Sequence, residues 1–144
     1  MSCEIRKLTP AELPAILALW KAAGLPTKPA GRDHPERLQI EMEQYPDNFI
    51  GAFSGERLVG VVLASWDGRK GWVNRVAVHP EFRRRGVGEA LIAAAERELG
   101  RRGALIIAAL IETDNVPSIR LFESCDYVAH GGNVYMTKRK GQDV

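Results

Sequence analysis

Apolar positions change their spacing several times along the 144-residue chain, and each change marks an element. Residues 4–8 read as a short strand. Leu13, Ile16, Leu17 and Trp20 then recur at helical intervals and form one apolar stripe. Thr9 stands as N-cap, Pro10 at the first helical position and Glu12 as the partner in a capping box. Gly24 ends that helix, and Pro26, Pro29 and Gly31 make 25–32 a loop. Asp33 and Glu36 predict a second capping box, with Leu38, Met42 and Tyr45 on one face of the helix that follows and Pro46 as its stop.

From there the period shortens. Residues 48–54, 57–66 and 72–78 read as three strands, joined by the turn Ser54-Gly55-Glu56 and by the hairpin signal Asp67-Gly68, so an antiparallel meander is expected. Val87, Leu91, Ala95 and Leu99 recur every four residues and predict a helix over 87–102, closed by two arginines and Gly103. The uninterrupted apolar run 105–111 predicts a strand buried on both faces, as after a βαβ crossover. Asp114, Asn115 and Pro117 open a short helix bearing Ile119, Leu121 and Phe122, and 127–130 and 134–138 read as two last strands around Gly131-Gly132-Asn133.

The length suits one domain, 1–144, with a sizeable core. The net charge of +2 is too small to call for a nucleic-acid partner, and the basic character is local, at Arg83 to Arg85 and at Arg101-Arg102. No apolar run approaches a membrane span, and the first residues lack the apolar region of a signal peptide, so no membrane partner and a cytoplasmic location are expected. Cys3 and Cys125 have neither metal-site nor disulfide-framework spacing, which leaves reduced thiols and no metal.

The stretch Val76 to Leu91 concentrates the chemistry. A strand ends at His79-Pro80, three arginines and two glycines follow, and a helix begins. The unpaired N–H groups and the dipole of a helix N-terminus favour anions. Gly86 and Gly88 let a ligand approach the backbone, and Arg83, Arg84 and Arg85 add charge-assisted donors. Together they suit a phosphate or pyrophosphate. A dinucleotide fingerprint would need a third glycine where Leu91 stands, and the Gly-Lys-Ser/Thr of a P-loop is absent.

Arg83-x-x-Gly86-x-Gly88, led in by Val76-Ala77-Val78-His79-Pro80, resembles the acetyl-CoA signature of the GNAT N-acetyltransferases, in particular small bacterial RimI-like and YpeA-like members. The resemblance covers nearly the whole chain. It implies an α/β (α+β) fold: a mixed, mostly antiparallel sheet with a central parallel pair, flanked by four helices. It implies that N–H groups from Arg84 to Glu89, Val87 included, hold the pyrophosphate of acetyl-CoA. It further implies that the backbone of Val76, Ala77 and Val78 binds the pantetheine arm as an added strand would, and that an N–H of this strand, assigned to Val78, stabilises the oxyanion. The acceptor would be a primary amine, on a small molecule or a protein, walled by the first helices, and homodimers are frequent in the family.

Asn115-x-x-Ser118-x-x-Leu121-Phe122 resembles the family's second motif, Asn-x-x-Ala-x-x-Leu-Tyr, with the Asn near the pantetheine arm and the last residue near the thiol. As an N-cap, Asn115 would be equally at home. Phe122 replaces the tyrosine that protonates the leaving thiolate, Tyr127 and Tyr135 are the alternatives, and Asp126 stands where the family has glycine. For a general base the candidates are Glu112, Asp67, His79 and Asp33, with Glu112 carried forward and His79 read as structural. Cys125 reads as a small hydrophobe. These residues support acetyl transfer from acetyl-CoA to an amine by direct attack; the alternative is a non-catalytic acyl-CoA-binding sensor, which the loss of the tyrosine would suit.

Overall fold

The computed structural model describes residues 3–144. Strand β1 (Glu4–Lys7) leads through a 3-10 turn, Pro10–Glu12, into helix α1 (Leu13–Ala22). Glu12 reaches back to accept from the N–H and the hydroxyl of Thr9 at 2.9 and 3.1 Å, so the first capping interaction forms as read. The second does not. Helix α2 (Pro35–Gln44) is capped by His34, whose Nδ1 accepts from the Glu36 N–H at 3.2 Å. Asp33 turns inward, 4% exposed, and accepts from the Lys28 N–H at 2.7 Å. A buried carboxylate must find donors, and the loop supplies them where the helix end would not. Tyr45 also departs from expectation: the helix ends at Gln44, and Tyr45 points outward at 55% exposure instead of sharing the face of Leu38 and Met42.

The meander forms as β2 (Phe49–Ser54), β3 (Arg57–Trp66) and β4 (Gly71–Val78), with β1 antiparallel to β2. Helix α3 (Val87–Arg101) carries the chain back across one face to β5 (Ile107–Ala108), which pairs parallel with β4, and helix α4 (Val116–Ser124) follows. The sheet order is β1-β2-β3-β4-β5. Leu91, Ile92, Ala95 and Leu99 of α3 are fully buried against Val59, Val62 and Val73, and each such leucine or isoleucine contributes about 1.5–3 kcal/mol. The other face packs Ile16 and Trp20 of α1 and Leu38 and Met42 of α2 on Phe49, Val61 and Ala77.

The C-terminal third departs from the pattern. Only Ile107 and Ala108 of the run 105–111 are strand, while Leu105 is 96% and Leu110 58% exposed, so this segment is not buried on both faces. Segments 127–130 and 134–138 are not strands; Val128, Val134 and Met136 are 73%, 84% and 84% exposed. The parallel pair therefore stands at the edge of the described sheet, not at its centre. The cause lies in β4. β5 pairs with it only at Gly71 and Trp72, after which β4 bulges at Arg75 and the two strands part. With a template of two residues, a C-terminal hairpin has little ladder to extend, and an isolated hairpin is marginal in water.

Candidate functional site

The bulge sits where β4 places Arg75 and Val76 against the single residue Val62 of β3. His79 donates its N–H to Val59 O at 2.8 Å, so His79 and Ala77 turn their backbone groups toward β3. By the alternation of a strand, Val76 and Val78 turn theirs to the opposite side, where β5 has already left. Their side chains meanwhile pack on the core beneath α3. The result is an open stretch of strand edge that ends at the basic turn.

In that turn Arg84 and Gly86 both take left-handed backbone angles, φ 62° and 80°. Alternation of this kind curls successive N–H groups into an anion-binding concavity. Gly86 is the N-cap of α3, whose first internal hydrogen bond runs from Ala90 N–H to Gly86 O at 3.0 Å, leaving the N–H groups of Val87, Gly88 and Glu89 outside the helical ladder. The arginines divide. Arg83 turns back, donating to Val78 O at 3.3 Å and to Ala23 O at 3.0 Å, so its guanidinium ties α1 to β4 and is not directed at the turn as the sequence suggested. Arg84 is exposed, and the Arg85 guanidinium lies 5.2 Å from the centre of the Phe82 ring.

The two glycines also differ. A side chain at Gly86 would meet nothing within 4 Å, and it is the φ of 80° that glycine serves. Gly88 is buried, and a Cβ there would stand 2.9 Å from Leu121 Cδ2, so its smallness serves the close approach of α4.

Asn115 caps α4, its Oδ1 accepting from the Ser118 N–H at 3.3 Å. Phe122 is 6% exposed, its ring edge-to-face with Tyr127 at 5.0 Å within the core. The Tyr127 hydroxyl is buried, and burial, with the nearby Glu96 carboxylate of α3, pushes the phenol well above its usual range. Tyr135 is 70% exposed on the C-terminal segment. Asp126 has φ 71°, which explains the glycine expected there; aspartate tolerates that region better than most residues.

Among the candidate bases, Glu112 is exposed between β5 and α4. Asp67 is a turn residue, held down to about 2 by hydrogen bonds from the Lys70 N–H, the Trp72 indole and the Arg69 N–H. The Nδ1 of His79 accepts from the Glu81 N–H at 3.1 Å and caps the 3-10 turn Pro80–Phe82. Asp33 is committed to the Lys28 N–H and to Arg75. Burial pushes the Cys125 thiol up, as befits a packed side chain. Among the described residues no cluster of three or more His, Cys, Asp or Glu could hold a metal, and no helix is long and apolar enough to cross a membrane.

Sequence reasoning missed Arg75 and Glu41. Glu41, on α2, is pushed up by burial and by the neighbouring Asp33 carboxylate, against the opposing pull of Arg75. The available signal was the pair Asn74-Arg75, which interrupts an otherwise apolar strand.

Residues 14–127 match the acetyltransferase (GNAT) family. An acetyltransferase of Photorhabdus laumondii is 31% identical over 137 residues, 94% of each chain, and one of Pectobacterium atrosepticum is 32% identical over 124 residues, 86% of each. Among solved structures, the PaiA N-acetyltransferase of Thermoplasma acidophilum in complex with coenzyme A superposes with a TM-score of 0.77 at 21% identity, over 87% of this chain and 89% of its own. The aminoglycoside acetyltransferase AAC(6')-Iy with a CoA bisubstrate analogue gives 0.78 at 22% identity, over 96% and 99%. The open β4 edge running into an anion-binding helix N-terminus thus lies within the matched span, and the chain belongs to the GNAT family of acetyltransferases.

Proposed function

We propose that this acetyltransferase acetylates a primary amine by direct attack, with both substrates bound together. The observation that carries the reading is the parting of β4 from β5, which leaves Val76 and Val78 with outward backbone groups beside the first turn of α3. Acetyl-CoA supplies the activated acetyl group. Val87, Gly88 and Glu89 hold its pyrophosphate through their N–H groups, with Arg84 and Arg85 adding charge. Val76 and Val78 hold the pantetheine arm as a neighbouring strand would, with Ala77 between them, and the Val78 N–H is the donor placed for charge on the thioester oxygen. Val78 O already accepts from Arg83, so that residue's contribution is its N–H.

Asn115 and Ser118 contribute the start of α4 as a wall, and Phe122 supports that wall from the core. The acceptor side is formed by the loop before α2 and by the hollow at its start, lined by His34, Glu36 and Arg37. No side chain need take the amine's proton directly, because ordered water can relay it. Holding two reactants in register can account for roughly 7–11 kcal/mol of barrier lowering.

Calorimetry with acetyl-CoA, followed by release of free CoA thiol over a panel of primary amines, tests the reading. Binding with amine-dependent thiol release is expected. Tight binding with no release for any amine would favour the acyl-CoA sensor, the reading that the buried, acid-free Phe122 supports.

A further inference from the structure

Arg75 is the strained residue of β4. It takes φ 53° inside a strand, in a region that side chains other than glycine, asparagine and aspartate seldom enter. Such conformations persist only where the surroundings over-determine them, and they gather at functional positions. The bulge turns Arg75 toward α1 and the loop before α2. Its guanidinium stacks 4.4 Å from the centre of the Trp20 ring, and Nη2 donates to Pro26 O at 3.2 Å and to Asp33 Oδ2 at 3.3 Å. Asp33 is in turn fixed by the Lys28 N–H at 2.7 Å. One side of the guanidinium is therefore held rigidly.

The rest of it makes no hydrogen bond within the fold, and the Glu41 carboxylate of α2 acts on it only through space. Nε is enclosed by protein and has no acceptor, and Nη1 makes no hydrogen bond among the described residues, which leaves Nη1 as the donor open to a ligand. The side chain retains 20% exposure. An arginine held rigidly through Nη2, with Nη1 uncommitted beside an open strand edge, is arranged to receive an oxygen from outside the protein.

We propose that Arg75 is a specificity-determining residue of the acceptor side: its Nη1 N–H groups bind an oxygen of the acceptor, so the preferred acceptor is a primary amine that carries a hydroxyl, carbonyl or carboxylate oxygen within a few bonds of the nitrogen. This rests on the amine-acetylating reading above. It adds a chemical class to the acceptor and assigns a purpose to the strain at the bulge. A plain alkylamine would leave the donors of Arg75 without a partner, which is how a hydrogen-bonding site rejects an analogue that lacks the group.

The test compares kcat/KM for glycinamide and for propylamine, in the wild type, Arg75→Met and Arg75→Lys. Intrinsic amine reactivity cancels when the glycinamide-to-propylamine ratio is compared between proteins. The ratio is expected to fall roughly ten- to a hundredfold in Arg75→Met, the range for a hydrogen bond to a charged group, and to fall less in Arg75→Lys. Acetyl-CoA affinity should stay at the wild-type value in both. Arg75→Lys keeps a cation for Asp33 and so reports even if Arg75→Met does not fold. An unchanged ratio in a folded variant, or a loss shared equally by both amines, overturns the inference while leaving the transferase reading intact. Acetyl-CoA binding with no turnover of any amine overturns the transferase reading, and this inference with it.

Discussion

Gly86→Asp and Gly88→Ala should separate ligand binding from folding at the start of α3. At Gly86 the space around a new side chain is empty, so the folding cost is confined to the backbone angle of 80°. A residue with a Cβ loses roughly 1–2 kcal/mol in that region, aspartate less than most, and a carboxylate at a helix N-terminus recovers about 0.3–1 kcal/mol. The melting temperature should therefore move by only a few degrees, at about 2–4 °C per kcal/mol for a chain near this size. Acetyl-CoA affinity should move far more. A carboxylate about 5 Å from a pyrophosphate charge is repelled by roughly 1–3 kcal/mol at effective dielectric constants between 80 and 20, a loss on the order of 5- to 150-fold in Kd. At Gly88 the order reverses. The new methyl would stand 2.9 Å from Leu121 Cδ2 and 3.3 Å from Cδ1. Overpacking of this kind costs about 1–3 kcal/mol, of which the helix preference of alanine returns roughly 0.5–1. Calorimetry and thermal denaturation on both variants give the two readings. Wild-type affinity in Gly86→Asp would refute the placement of the pyrophosphate. Full stability in Gly88→Ala together with lost binding would show that Gly88 faces the ligand and not α4.

Three further outcomes are expected. Phe122→Tyr puts a hydroxyl into a site only 6% exposed, so it should lower stability by roughly 1–3 kcal/mol in urea denaturation and leave kcat no higher than wild type. Tyr127→Phe removes a buried hydroxyl that lies beside the Glu96 carboxylate and should leave kcat unchanged and stability within about 1 kcal/mol of wild type; a large fall in kcat would identify Tyr127 as the acid. Burial alone would raise Glu98, but hydrogen bonds from Lys7, Arg101 and Arg102 overcome it and hold the carboxyl at about 2. Because that value lies below the usual 4.5, the stabilisation is complete above about pH 4.5 and is lost as the pH falls toward 2. Half-exposed Lys7 and Arg101 are screened, so roughly 1–3 kcal/mol should disappear across that window, and Glu98→Gln should flatten the urea midpoint between pH 5 and 3.

The parts legible in the sequence were those set by local rules. The four-residue spacing of Val87, Leu91, Ala95 and Leu99 placed α3 to within a residue at its end, and these residues do form its buried face. The Asp67-Gly68 hairpin is local chemistry as well, since Asp67 accepts from the N–H groups of the turn it belongs to. Residues 105–111 failed because strand formation depends on a partner. Composition marks the run as apolar, but its length as a strand is set by how far β4 runs straight beside it, and β4 bends away at Arg75. The same bulge hid Arg75 itself: a charged residue in a strand reads as solvent-facing until the loop of Pro26 and Asp33 closes over it. The glycines show the limit most sharply. Gly86 and Gly88 are two residues apart in one motif, and both read as room for a ligand. One serves a backbone angle and the other the methyl groups of Leu121, thirty-three residues further on in a helix packed across it. A motif therefore states that a side chain is excluded, and only the tertiary neighbours state what excludes it.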